Sequence, residues 1–479
     1  MALQSTSMAP ALVTKSMAIK ESTPLVAKRS FSTLALVRVL TSVTSIAEGY
    51  DMSCIAGVAL NVSSKWELAT WQLSVLISVG HGMVGMGALL GGCVSDTYGR
   101  HGALASSYAI LIVGSLSMAM ATDITELIMG RMIQTIGVGF GLGVVTTYCA
   151  EMAPRDLRGT FPSFEEAFLV MGVVFGNAAN ELLLEVPDGW RYVLGFGGVL
   201  PALMLVFLGM GLLPESPRFL AMHGRVPEAT AVLNMLVDPD EARDVLNHWK
   251  TETRDVATWS EVLFPETARG RRALIIGVGI LFCQQGSGIV AVTLYTPTIL
   301  AAELSKSAAM AATLLFAVVR CIVCILIVFL VDSVGRRSLL LCSAVGCTLA
   351  MGALSATWTL GLAVVPWKIF ALLAFGIAFS IGFGPVAYVV ASEVFPTHVR
   401  SKSTAVAFVV GRGYSFFLLL SYPFAAEAVG TGACFAFSTV TNVLLLLFVY
   451  MAVPETSCVA LEKMHTIFES EEEDASATI

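Results

Sequence analysis

Two acids, Glu48 and Asp51, stand inside the long apolar run TSVTSIAEGYDMSCIAGVALN, from Thr41 to Asn61. A carboxylate at membrane depth costs about 2.5–3.5 kcal/mol on insertion scales, so a chain that keeps one there uses it to handle ions or substrate. At about 100° per residue, side chains three apart share one helix face, the interior face if the helix sits in a bundle. Asp51 reads as the working group and Glu48 as a carboxylate that pairs with a neighbouring helix. A cation stands at similar depth: Arg131 opens an apolar run holding Gly137, Gly139, Gly141 and Gly143. That glycine spacing imitates a dinucleotide loop, but no strand precedes it and no ribose-binding acid follows. Close helix packing in a bilayer is the better reading.

Other chemistries are excluded. The six histidines, His81, His101, His223, His248, His398 and His465, join no nucleophile or metal cluster, so neither an enzyme nor a cofactor is expected. The ten cysteines lie singly or as isolated pairs in apolar segments, without metal-ligand spacing, and predict no disulfides.

The elements that must position these groups are transmembrane helices. Of 479 residues, 56% are hydrophobic and 13% charged, against about 25% charged in soluble chains, and the mean hydropathy is +0.79. Apolar runs near 34–60, 71–94, 102–121, 125–150, 160–184 and 189–213 give six spans; runs near 273–300, 307–331, 338–361, 366–391, 401–428 and 431–453 give six more. The reading is an all-α polytopic membrane protein of twelve transmembrane helices in two pseudo-symmetric halves, 34–213 and 273–453. A linker at 214–272, with charges at helical spacing, carries short surface helices. The tails are 1–33, basic and as compatible with a transit peptide as with the favoured cytosolic tail, and 454–479, whose ESEEED run supplies much of the acid behind the net charge of −7. Nucleic acid binding has no support. Most of the 28 lysines and arginines fall on the linker side, which places that side and both termini in the cytosol.

Three polar signatures recur about 240 residues apart in the same order. Asp96, Gly99 and Arg100 are echoed by Asp332, Gly335, Arg336 and Arg337. Glu151 with Arg158 is echoed by Glu393 with Arg400, and the Pro-Glu-Ser of Glu215, followed by Arg218, by the Pro-Glu-Thr of Glu455. All sit at cytoplasmic helix ends, where they form a gate; Glu151 is expected to bond Arg158 across one loop and Glu393 to bond Arg400 across another, closing the inner face as the halves rock.

From Val37 to Phe468 the chain resembles the sugar porters of the major facilitator superfamily. The resemblance rests on GYD at 49–51, RMIQTIGVGFG at 131–141, AEMAPRDLRG at 150–159, PESPR at 214–218, QQGSGI at 284–289, DSVGRR at 332–337, SEVFPTHVRS at 392–401 and PET at 454–456. Within that family it is most similar to plant polyol and monosaccharide proton symporters, by SFEEAF at 163–168, SGIVAV at 287–292 and the arginine of VVGRG at 409–413. It departs from their pattern at His101, Val290, Tyr388 and Gly411, and Glu48 and Glu165 are unusual there.

The resemblance implies a proton switch in which Arg131 holds ionised Asp51 and releases it on protonation. It also implies sugar ligands at Gln284 and Gln285, and places Glu166 and Arg412 in opposite halves facing the central cavity, where they hold substrate hydroxyls or pair with each other. Tyr295, Phe383 and Tyr388 are candidate aromatic walls, and Glu165 points away and pairs elsewhere. The expected function is proton-coupled symport of a polyol or monosaccharide by alternating access, in a monomer of the lipid bilayer, with the plasma membrane favoured over a plastid or vacuolar one. The alternatives are a facilitative uniporter, a carrier of a charged organic solute, and a non-transporting sensor; the short C-terminal tail speaks against the sensor.

Overall fold

The computed structural model describes residues 24–152, 161–252, 258–360, 365–395 and 399–456; Arg158 and residues 1–23 and 457–479 lie outside them. Among the described residues there are helices and no strands, as the hydrocarbon solvent demands: only a helix satisfies its own backbone within one segment. Span 1 is α1 (Pro24–Lys65), and spans 2 and 3 form α2 (Thr70–Met120), which bends at Gly99. Spans 4 and 5 are α3 (Ile124–Met152) and α4 (Phe161–Leu182). Span 6 is α5 (Gly189–Phe196) continued by α6 (Val199–Gly209).

The linker holds four short helices, α7 (Pro217–Met222), α8 (Val226–Leu236), α9 (Pro239–Glu252) and α10 (Trp259–Leu263). Their starts carry ordinary signals. Ser216 caps the first with Pro217 behind it, and Thr258 with Glu261 forms a capping box on the last. Span 7 is broken into α11 (Ala268–Gly286) and α12 (Ile289–Ala301); spans 8 and 9 are α13 (Lys306–Val334) and α14 (Arg336–Thr359). Span 10 is broken into α15 (Val365–Ile381) and α16 (Pro385–Val394), and spans 11 and 12 are α17 (Arg400–Val429) and α18 (Thr431–Ala452). This is the twelve-helix architecture read from the sequence.

Nine helical stretches among the described residues are long and apolar enough to cross a membrane, and the bent α2 holds two spans in one of them. The two spans outside that set, α1 and α4, carry the acid pairs Glu48/Asp51 and Glu165/Glu166.

Small residues bring the helices together. A Cβ on Gly139 would run into the Val84 carbonyl, one on Gly87 into that of Ile136, and one on Gly91 into that of Phe140, so spans 2 and 4 interlock backbone to backbone. Gly49 and Gly172 do the same for spans 1 and 5, against Leu169 and Ile46. The glycine run after Arg131 is thus a packing surface.

Spans 2 and 11 pack across the two halves, as do spans 5 and 8. At the end remote from the linker the halves are also bridged by polar contacts: Thr70 to Glu427 (2.6 Å), Lys306 to Ser64 (3.1 Å) and Ser307 to Glu181 (3.3 Å). The bundle is drawn together at that far end.

Candidate substrate and proton site

Three buried carboxylate–guanidinium pairs occupy the middle of the bundle. Asp51 on span 1 accepts a hydrogen bond from Arg131 Nη1 on span 4 at 3.0 Å, with the residues 5% and 1% exposed. This pair lies within one half, as the sequence led one to expect.

The other two pairs join the halves, and neither is the pair the sequence suggested. Glu48, one turn before Asp51, is bonded by Arg412 of span 11. Glu166 of span 5 is bonded by Arg320 of span 8 at 3.3 Å. No direct Glu166–Arg412 ion pair is present in this conformation: each residue bonds a different, buried partner. Arg320 also bonds Thr293 Oγ1 (3.4 Å) and lies over the rings of Phe379 (5.3 Å) and Phe316 (5.7 Å). Arg412 lies over the ring of Phe408 at 4.7 Å. Buried guanidiniums use such faces because the ring quadrupole partly replaces lost hydration.

Sequence reasoning missed Arg320 altogether, although a signal was present: it is the only charge between Lys306 and Val331, a stretch whose mean hydropathy of 3.2 exceeds that of the other eight membrane-length stretches among the described residues. Glu165 stands beside Glu48, and the expected pairing elsewhere is absent: it has no ion pair among the described residues.

The glutamines Gln284 and Gln285 end the first half of span 7 and are buried. Gln284 donates to the Gly384 carbonyl at the break of span 10 (3.2 Å), Gln285 donates to Gln284 Oε1 (3.2 Å), and Ser415 of span 11 donates to Gln285 Oε1 (2.7 Å). Gln284, Gln285, Tyr388 and Arg412 line one small cavity with Leu281, Phe408 and Gly411, of volume ≈ 10 Å³. Ligand pockets run to about 300–1,000 Å³, so in this conformation the side chains fill the space a solute would need. Tyr295 and Phe383 are not in that lining. The Tyr295 hydroxyl donates to the Leu419 carbonyl (2.8 Å) and its ring stacks on Tyr422, which ties the second half of span 7 to span 11; Phe383 is fully buried beside Ser343. Glu166 also stands outside the lining, against Gly384.

The linker end carries the duplicated signatures, and the duplication is structural. Gly99 and Gly335, at φ +85° and +93°, make the turns between spans 2 and 3 and between spans 8 and 9, a conformation costly for other residues. After each turn a glutamate caps two freed backbone N–H groups: Glu215 accepts from Arg100 and His101 (3.0 and 3.2 Å), and Glu455 accepts from Arg336 and Arg337 (2.9 and 3.1 Å).

Glu151 accepts from Arg100 by two contacts of 2.8 and 2.7 Å and from Ser216 (2.6 Å). Glu393 likewise takes Arg336 (3.4 Å) and Thr456 (2.6 Å). Each glutamate ends its span facing the turn of the preceding helix pair, and the expected loop partners Arg158 and the Arg400 side chain lie outside the described residues, as does the side chain of Asp332. Asp96 is exposed and 3.6 Å from Arg100; Arg218 is exposed, and Arg337 donates to the Tyr450 carbonyl (2.7 Å).

With this geometry in place, comparison with known proteins is decisive. Residues 37–468 match the family described as "Sugar (and other) transporter". The chain belongs to this transporter family. As a member of it the protein is a multi-pass membrane carrier and not an enzyme. It is 34% identical over 447 residues to the probable polyol transporter 4 of Arabidopsis thaliana, covering 89% of this chain and 84% of that one. It is 27% identical over 465 residues, 94% of this chain and 98% of the other, to the arabinose-proton symporter of Bacillus subtilis. Among solved structures it is similar to the proton:xylose symporter XylE of the major facilitator superfamily, with a TM-score of 0.79, 23% identity, and coverage of 91% of this chain and 99% of that one. That likeness establishes the fold of this transporter.

Proposed function

We propose that the protein is a proton-coupled symporter of a polyol or monosaccharide, working by alternating access. The observation that carries this reading is the buried Asp51–Arg131 pair, a titratable carboxylate held at bilayer depth by a guanidinium, in a chain whose relatives are polyol transporters and an arabinose-proton symporter. Protonation of Asp51 removes its attraction for Arg131 and so biases the equilibrium between two arrangements of the helices. Gln284, Gln285, Tyr388 and Arg412 bind solute hydroxyls, which need both donors and acceptors. Entry of a solute requires the cross-half pairs Glu48–Arg412 and Glu166–Arg320 to part, so substrate binding and the rocking of the halves are one event. The paired turns at Arg100 and Arg336 brace each half at the linker end.

Four buried charges at the interface of the halves favour one second reading, a carrier of a charged organic solute. Radiolabelled uptake of glucose, fructose, xylose, mannitol, sorbitol and inositol in a transport-deficient yeast strain separates these readings. Concentrative uptake of at least one, collapsed by a protonophore, is expected. Uptake unaffected by the protonophore identifies a uniporter, and no uptake of any of the six favours the charged solute.

The linker end faces the cytosol, supported by its lysines and arginines, and the carrier works as a monomer in the plasma membrane. Tags at both termini and in the linker should be protected in sealed, right-side-out cells; surface labelling of any of them contradicts this orientation.

A further inference from the structure

One buried titratable side chain has no part in the site described above. His81, on span 2, is 2% exposed, and neither of its ring nitrogens has a hydrogen-bond partner among the described residues. It stands between the two carboxylate–arginine pairs of span 1. The preceding residue, Gly80, lies against Arg131, where a Cβ would be 2.7 Å from Nη2; Gly85, one turn on, faces the Cβ of Arg412 at 4.0 Å. Arg412 and Arg131 are the charges that act on the imidazole, and their own partners are Glu48 and Asp51.

His81 is also the inner end of a polar file. Ser74 and Ser78 are fully buried, and their hydroxyls have no hydrogen-bond partner among the described residues. Thr70, Ser74, Ser78 and His81 are spaced by four, four and three residues, which puts them on one face of the helix. They cover about 16 Å at 1.5 Å per residue. The outer end is closed by the bond from Thr70 to Glu427 of span 11, and span 11 is the helix of the other half that packs on span 2. A buried hydroxyl or ring nitrogen without a partner is costly in a permanently closed protein. A file of them along a seam between moving halves has a use once the seam opens and water enters.

We propose that His81 is the proton relay of the carrier, loaded from the far side of the membrane along Thr70, Ser74 and Ser78 when spans 2 and 11 part. A neutral imidazole accepts a proton on one ring nitrogen and releases the proton of the other. One proton enters from the water file and one leaves to the carboxylate of Asp51 or Glu48, which becomes the neutral acid and frees its arginine. The ring ends neutral in its other tautomer and is reset by rotation. His81 acts through the span 1 carboxylates and is a positioning residue for the proton, touching no solute.

The inference rests on the proton-coupling reading, and its test keeps the two apart. Full-length wild-type protein, His81→Gln and Ser78→Ala are reconstituted into liposomes, with xylose and sorbitol as probes. Gradient-driven accumulation is compared with exchange of labelled against unlabelled solute at equal pH, which needs no net proton movement. Glutamine keeps the size and hydrogen bonding of the imidazole but carries no proton. The expected result for His81→Gln is an accumulation rate lowered at least tenfold with exchange within twofold of wild type, and a smaller loss of the same kind for Ser78→Ala. Wild-type accumulation with His81→Gln matching it overturns the relay alone. Equal loss of accumulation and exchange in a folded variant also overturns it, since that is the signature of a packing role. A wild-type protein that exchanges solute but never accumulates it removes the coupling reading and the relay together.

Discussion

Asp51→Asn should abolish uphill accumulation, bringing the ratio of internal to external solute to unity, while exchange persists. Asparagine is nearly isosteric and keeps a carbonyl oxygen toward Arg131 Nη1, which now stands 3.0 Å from Asp51 Oδ1, but it binds no proton at any accessible pH. The variant is locked near the neutral state of the switch: Arg131 is no longer held by charge, the halves still rock, and solute equilibrates without being driven. Some stability is lost, because a guanidinium only 1% exposed keeps a hydrogen bond in place of a counter-ion. Purified variant that still concentrates solute under an inward proton gradient moves the coupling role from Asp51 to Glu48.

The second large effect concerns the pairs that join the halves. Removing one partner of a buried ion pair strands the other charge and costs about 3–5 kcal/mol. Glu48→Gln and Arg412→Gln should therefore each lower the melting temperature in detergent markedly. The double variant should recover at least half of that loss, because no charge is then left unpaired. Glu166→Gln combined with Arg412→Gln should behave in the opposite way. Those residues belong to separate pairs, so the double variant strands both Glu48 and Arg320 and the two losses should add. Exchange is not expected to recover in either double variant, since Arg412 lines the cavity with Gln284 and Gln285. Thermal melts of the singles and both doubles check this. Recovery in the Glu166/Arg412 double, and none in the Glu48/Arg412 double, would reverse the pairing.

The parts of this structure legible in the sequence were those written in local composition. Apolar runs of about 20 residues fix transmembrane spans because the hydrocarbon thickness does, and the recurrence of Gly99-Arg100 at Gly335-Arg336 is a local signature of two equivalent turns. Asp51 and Arg131 were recognisable because each is costly where it stands.

Partnership was less legible, since it depends on which helix faces which. Arg100 stands 51 positions before Glu151, yet the turn that presents it faces that glutamate. Glu166 and Arg412 both point to the interface of the halves, but the packing of span 5 on span 8 supplies Arg320 first. His81 belongs to no motif. What distinguishes it, two ring nitrogens left without hydrogen bonds between two arginines, exists only after folding.

Coupled movement of solute and proton through Asp51 is the central proposal. The most direct measurement uses purified protein in liposomes loaded with a pH-sensitive dye, with addition of the solute that supports the strongest uptake in yeast. Solute should bring protons inward with it in the wild type, and that signal should vanish in Asp51→Asn although labelled solute still exchanges. Solute entry with no accompanying proton movement, or an undiminished proton signal in Asp51→Asn, would contradict it.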